Sequence, residues 1–490
     1  MTYKRFYIWV MVLTLSLSVY ADDGDRYATN SVLSSGTWVK VRVKEAGVYQ
    51  FTNANLRSMG FSNPDNVKLY GMNMEVLPES GLENLGGDLT EIPLYRTGEK
   101  VLFYGRGTTL VTLNNAEKDY ASFSHFNNPY SSYQYYLLTE GENPKEFATY
   151  NYEMGSNAQD VITFPDYSII ESDEFSYMNS GRRFFEGYDY VNGSTKSYTL
   201  ELPGYSTGAV SLDVQFSASG STASTIDVTV NDVSVGSISI GKNGTYDWAR
   251  MSSRSFLLED DEDGWSNIGE RNTVKLTHNR ASGVSGHLDY ISAGYIRNLN
   301  ITGTHLLFRP YMDGDIVFHI NGANENTVVW KVTRGSEMEG VETSFSSGSL
   351  SVPFTSESTE LITWKDEELV ALNPSATFPT PTTVGKIANQ DLHALGNIDL
   401  VIVIPTSGKL RSQAQRLADA HLTYDSITSV IVTADQVYNE FSGGTPDATA
   451  LRRFMKMLYD NATSESIRPK NLLLFGGGVW DNRMVTGSMR

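Results

Sequence analysis

Asp399-Leu-Val-Ile-Val-Ile404, Ile427-Thr-Ser-Val-Ile-Val432 and Asn471-Leu-Leu-Leu-Phe475 are three apolar runs near the C-terminal end of the sequence. Each is short and apolar, as a strand covered on both faces must be. Residues 410–421 and 447–462 lie between them with helical spacing. Strand, helix, strand, helix, strand predicts a parallel sheet with crossover helices. Such sheets form their active sites beyond the carboxyl ends of the strands, in loops supplied by several strands. Three strands are only a beginning. The expectation is an incomplete α/β domain over 397–490, with a site finished by residues outside this chain.

The second helix is the most firmly written element. Thr445 is read as its cap, Pro446 as its first residue, and Asp447 as favouring the positive end of the dipole. Leu451, Phe454, Met455 and Leu458 then share one face, a stripe for packing on a sheet. Gly476-Gly477-Gly478 follows the third strand. A dinucleotide fingerprint needs a third Gly at the sixth position, where Asp481 stands, and a phosphate loop needs Gly-Lys followed by Ser or Thr. The triplet is read instead as a tight turn beside a crevice.

Upstream, the chain reads as β-structure. Trp38-Val-Lys-Val-Arg-Val43 and residues 209–216 alternate with period two. Residues 226–230 and 233–240 flank Asn231-Asp232, a two-residue hairpin turn. Residues 273–277 and 288–296 continue the pattern, which predicts a sandwich over about 195–299, read as a spacer. Residues 316–320 and 328–332 read as strands of a further β-segment. Composition divides the chain into an N-terminal β-domain over 22–160, a β-sandwich region over 161–300, a β-segment over 301–372 and a Pro-rich linker over 373–396. A seam is placed at residues 141–160.

Lys4-Arg5, the apolar run 6–20 and Val19-Tyr20-Ala21 predict a signal peptide over 1–21, cleaved before Asp22, and hence export. The net charge is −19, which argues against nucleic acid as a partner. There is no cysteine, and a chain this long needs no disulfide staples. Glu259-Asp-Asp-Glu-Asp263 lacks the spacing of a Ca²⁺ loop and reads as a solvated acidic loop. His287 and Asp289 share a strand face but want a third ligand for zinc, so they read as a surface pair or a satisfied core histidine. His421 is placed near the end of the first helix, where a cation favours the dipole. No metal and no cofactor are expected.

The stretch Val430 to Ser442, the helix to Asp460, and Asn471-Leu-Leu-Leu-Phe-Gly-Gly-Gly-Val-Trp-Asp-Asn-Arg483 resemble the start of the catalytic domain of gingipain-like cysteine peptidases, specifically the sortases of type IX secretion. Asp88 to Pro93, Val101 to Gly107, Asn128 to Tyr136 and Ala388 to Gly396 resemble their N-terminal segments. The resemblance implies a caspase-like α/β domain after the β-domains, with a Cys nucleophile and a His partner on later strands. No residue here takes either catalytic role, because a thiolate needs a thiol. It also implies a rim at the strand end. The family's usual Gly-Asp is replaced by Gly476-Gly477, and Asp481 still fits, so Gly477 and Asp481 are the rim candidates. The implied activity removes C-terminal sorting signals from cargo proteins and passes the cargo to anionic lipopolysaccharide. The implied setting is the cell surface of a Gram-negative bacterium, with outer-membrane secretion partners. The alternative is a non-catalytic surface binding or scaffold protein. On either reading, this chain by itself is expected to be inactive.

Overall fold

The computed structural model describes residues 26–80, 87–179, 183–191, 193–259, 267–335, 338–356, 367–479 and 481–485. The expected signal peptide and the acidic loop beyond Glu259 lie outside the described residues. The chain is mostly β, ending in an α/β segment.

The N-terminal unit is two sheets face to face. One has the order Thr382–Ile387, Trp38–Val43, Gln134–Glu140, Val67–Gly71, Thr90–Ile92; the other has Gly47–Thr52, Lys100–Gly105, Tyr95–Thr97. Inward residues of both meet in one core that includes Val41, Phe51, Leu69 and Phe103. Phe103 lies 5.8 Å from Phe51 and 5.3 Å from Tyr136 by ring centroids. The alternation of residues 38–43 is blurred in burial, because Lys40 is covered as well. The cover is the α/β segment.

The sandwich is two four-stranded antiparallel sheets. Thr163–Glu171, Ser285–Asn298, Val210–Ser219 and Arg250–Leu258 form one; Thr195–Glu201, Arg271–Asn279, Ser224–Val230 and Val233–Ile240 form the other. Asn231 and Asp232 turn the predicted hairpin with φ of 47° and 68°. This is the left-handed conformation that two-residue hairpin turns demand. A long hairpin, Thr109–Glu117 with Tyr120–Asn127, leaves the N-terminal unit and lies on the sandwich. A Cβ on Gly294 would stand 2.4 Å from the Ala121 carbonyl oxygen, so only glycine admits the hairpin there.

The structure corrects three readings. The seam at 141–160 carries two short strands: Thr149–Tyr150 pairs in parallel with Glu339–Val341, and Gln159–Val161 with Gly314–Asn321. These strands belong to a third β-unit whose other strands come from 305–372. The sandwich is therefore inserted within that unit. The stretch 373–396 contains Thr382–Ile387, which pairs with Trp38–Arg42 as the edge of the first sheet. Its proline-imposed extension serves a sheet rather than a free tether. Finally, Thr445 does not cap the long helix. Asp447 does, accepting from Thr449 N at 2.7 Å, and Pro446 lies outside the helix. Thr445 Oγ1 instead accepts from Tyr135 N at 3.2 Å, because the turn is pressed against the N-terminal unit.

Candidate functional site

Leu400–Ile404 is the middle of a three-stranded parallel sheet, with Ser429–Thr433 on one side and Asn471–Leu474 on the other. Its residues are all buried and alternate between two layers. Leu400, Ile402 and Ile404 pack with Ala414 and Ala418 of the helix Arg411–Asp425. Val401 and Val403 pack with Val437, Phe441, Phe454 and Met457. The order places the third strand on the opposite side of the middle strand from the second. The order of the strands thus switches sides between the middle and third strands, where α/β sheets open a crevice at their carboxyl ends.

The place where such a crevice would open is flanked by residues 405–408 and by Gly476-Gly477-Gly478. Phe475 N donates to Val403 O at 2.8 Å, holding the two strand ends together. A Cβ on Gly476 would lie 3.1 Å from Pro405 Cγ, whereas Gly477 faces open space. Of the two rim candidates, Gly477 is exposed and Asp481 is fully buried. Asp481 Oδ1 accepts from Arg483 N at 3.1 Å and its carbonyl from Met484 N at 3.1 Å, so it shapes the turn rather than facing the crevice. Arg483 then pairs with Asp173 at 2.8 Å and lines a cleft of about 610 Å³ with Lys44, Glu171 and Tyr167.

The third strand is the open side. Among the described strands it pairs only with Leu400–Ile404. Leu472 is 39% and Leu474 60% exposed. An apolar strand with a bare edge is a template for further pairing. Leu474→Lys is expected to suppress concentration-dependent self-association. It should change the unfolding free energy by no more than about 0.5 kcal/mol, since the side chain is exposed. Light scattering with urea unfolding checks this, and undiminished association would contradict it.

The second strand leads into a helix the sequence reading passed over, Ala434–Phe441. Its signal was a capping box: Thr433 Oγ1 accepts from Gln436 N at 3.2 Å, and Gln436 Oε1 accepts from Thr433 N at 2.9 Å. This helix fixes the α/β segment to the N-terminal unit. Lys40 Nζ reaches Asp435 Oδ1 at 3.2 Å and Asn439 Oδ1 at 3.1 Å. Burial lowers the Lys40 pKa, and Asp435 opposes that shift. Glu440, fully buried, accepts from Gln390 Nε2 at 2.8 Å and faces His393 Nδ1 at 2.6 Å. Gly443 and Gly444 follow with φ of 62° and 89°, and a Cβ on Gly444 would meet Lys40 Cε at 2.8 Å. Arg453 donates to the Phe441 carbonyl, and burial lowers its pKa to about 10.

Among the described residues, no histidine is poised at this strand end. All seven His are hydrogen-bonded elsewhere: His125 to Glu171, His278 to Ser224, His287 to the Glu186 carbonyl, His305 to Thr304, His319 to Asp160, His393 to Glu440 and His421 to Asp425. His287 is a core residue stacked on Phe175, and burial lowers its pKa. Asp289, pushed up to about 6 by burial, accepts from Gln215 Nε2 at 2.6 Å. Among the described residues no group of three His, Cys, Asp or Glu could hold a metal ion. No helix among them is long and apolar enough to cross a membrane.

Comparison with known proteins agrees with this architecture. The profile of peptidase family C25 matches residues 393–489. The crystal structure of dimeric latent PorU from Porphyromonas gingivalis superposes with a TM-score of 0.80 and 26% sequence identity, covering 94% of this chain and 43% of that chain. The chain thus spans less than half the length of the PorU it matches. A β-porphyranase of glycoside hydrolase family 86 from Bacteroides plebeius covers 54% of this chain and 35% of its own, at 8% identity and a TM-score of 0.19, too low to carry an argument. A comparison with curated proteins finds no match. The chain has the fold of the PorU structure over nearly its whole length, and its residues 393–489 match the model of peptidase family C25.

Proposed function

We propose that this chain is the N-terminal part of a type IX secretion sortase. In this reading the whole enzyme is a cysteine endopeptidase and transpeptidase at the outer-membrane surface. A thiolate attacks the carbonyl ahead of the C-terminal sorting signal of a cargo protein and releases the signal with a new amino terminus. The resulting thioester is then taken by an amine of anionic lipopolysaccharide, or by water. These 490 residues contain no cysteine, so the thiolate belongs to the remainder of a longer chain. The β-units position cargo or dock on secretion partners. The observation that carries the reading is the match to PorU across 94% of the chain at 26% identity.

The test compares two polypeptides on a peptide that ends in a sorting signal. The 490 residues alone are expected to release no product above the uncatalysed rate. A polypeptide continued through further sheet strands with a Cys and a His is expected to cleave, and to stop when that Cys becomes Ala. Cleavage by the 490 residues would overturn the reading, and an inert continuation that retains both groups would favour a scaffold.

A further inference from the structure

His393 lies where three parts of the chain meet: its own stretch, the helix Ala434–Phe441, and the Gly87–Leu89 loop of the N-terminal unit. Its ring is stacked on Phe441, with centroids 5.0 Å apart and planes 10° apart. Nδ1 is 2.6 Å from Glu440 Oε2, and Nε2 is 2.8 Å from the Gly87 carbonyl oxygen. A carbonyl only accepts. Glu440 already accepts from Gln390 Nε2 at 2.8 Å and from Leu392 N at 2.9 and 3.0 Å, the behaviour of an ionised carboxylate. Both ring nitrogens therefore face acceptors, and only the doubly protonated ring satisfies both.

We propose that His393 is a protonation-controlled clasp between the α/β segment and the N-terminal unit. As imidazolium it ties the helix to the loop at Gly87. As neutral imidazole it must surrender one of the two bonds and leave Glu440 uncompensated. This inference does not depend on the sortase reading.

Other charged groups around the junction set the sign. Asp88 and Asp391 both interact with the ring electrostatically. Asp88 Oδ2 accepts from Val32 N, and Asp391 Oδ1 from Ser31 N. Lys40 with Asp435, Arg453 on the Phe441 carbonyl, and Tyr27 on Asp460 complete the junction. Burial disfavours the charged ring, but the Glu440 and Asp88 carboxylates outweigh it, and the His393 pKa lies above its ordinary 6.5. A raised histidine stabilises fully below the unfolded value and loses that contribution as pH climbs through the folded one.

Hydrogen exchange of the whole chain between pH 6 and pH 9, corrected for intrinsic rates, tests this. Peptides over 388–396 and 434–441 are expected to lose on the order of tenfold in protection per unit of pKa displacement, while the sandwich strands keep theirs. In His393→Gln the same peptides should be less protected at pH 6 and show no further loss. Flat wild-type profiles, uniform loss across the chain, or an unchanged profile in His393→Gln would each overturn the clasp. If His393→Gln does not fold, the wild-type contrast between junction and sandwich decides alone.

Discussion

An Arg106→Ala variant is expected to lose about 3–5 kcal/mol of unfolding free energy at pH 7, the usual cost of stranding buried charges. Arg106 is 1% exposed. Its Nη1 bridges Glu75 Oε1 at 3.2 Å and Glu368 Oε2 at 2.5 Å. Arg334 meets Glu75 at 3.1 Å, and Arg309 meets Glu368 at 3.4 Å. Glu75 and Arg106 come from the N-terminal unit, and the other three from the third β-unit, so the network joins the two units. Truncation leaves both carboxylates buried with one partner each. Burial raises the Glu368 pKa, but the three arginines, Arg106 foremost, overcome this and hold it at about 2. A carboxyl depressed in this way stabilises above its unfolded pKa and loses the contribution as pH falls toward 2. Without Arg106 its pKa climbs, so protonation relieves the variant and the deficit should narrow near pH 4. Urea unfolding at both pH values measures this. A loss below about 1 kcal/mol would mean that the network is solvated rather than sealed.

The second large effect concerns the α/β segment. Phe454→Ala is expected to cost about 3–5 kcal/mol, the range for removing a buried aromatic from a packed core. Phe454 is 0% exposed, lies 5.2 Å from Phe441 by ring centroids, and belongs to the layer containing Val401, Val403 and Val432. Its loss undermines both helices on that face at once. Exchange protection should fall first over 400–404, 429–433 and 448–460, with the sandwich unaffected. Equal loss in the sandwich would show that the chain opens as one cooperative body.

The residues explain which of these features could be read in advance. Leu400–Ile404 declared itself because both faces are covered, which forces an unbroken apolar run. The long helix did so through the stripe Leu451, Phe454, Met455 and Leu458, of which Phe454 and Leu458 are buried and Leu451 and Met455 half-buried against the same core. The helix Ala434–Phe441 hid because two of its buried residues, Asn439 and Glu440, are polar. Their partners, Lys40, Gln390 and His393, lie far away in sequence, so no local pattern reveals them. Residues 149–150 and 159–161 hid for a related reason, since parallel partners are remote and short strands show no period. Gly477 and Asp481, the rim candidates implied by the resemblance, both follow the third strand. Which of them faces solvent depends on contacts beyond that stretch, Arg483 with Asp173 among them.

The insertion of the sandwich orders the folding pathway. The parallel pairing of Gln159–Val161 with Gly314–Asn321 closes a loop of roughly 150 residues, an entropic cost of about 4 kcal/mol if that loop is slack. A formed sandwich removes most of it, because Leu299 N already donates to the Ile162 carbonyl at 2.9 Å. The two ends of the intervening domain are delivered side by side. Nucleation should therefore proceed from the inserted domain outward. Mutations that slow its assembly should delay the closing of its host, even where they touch no host residue.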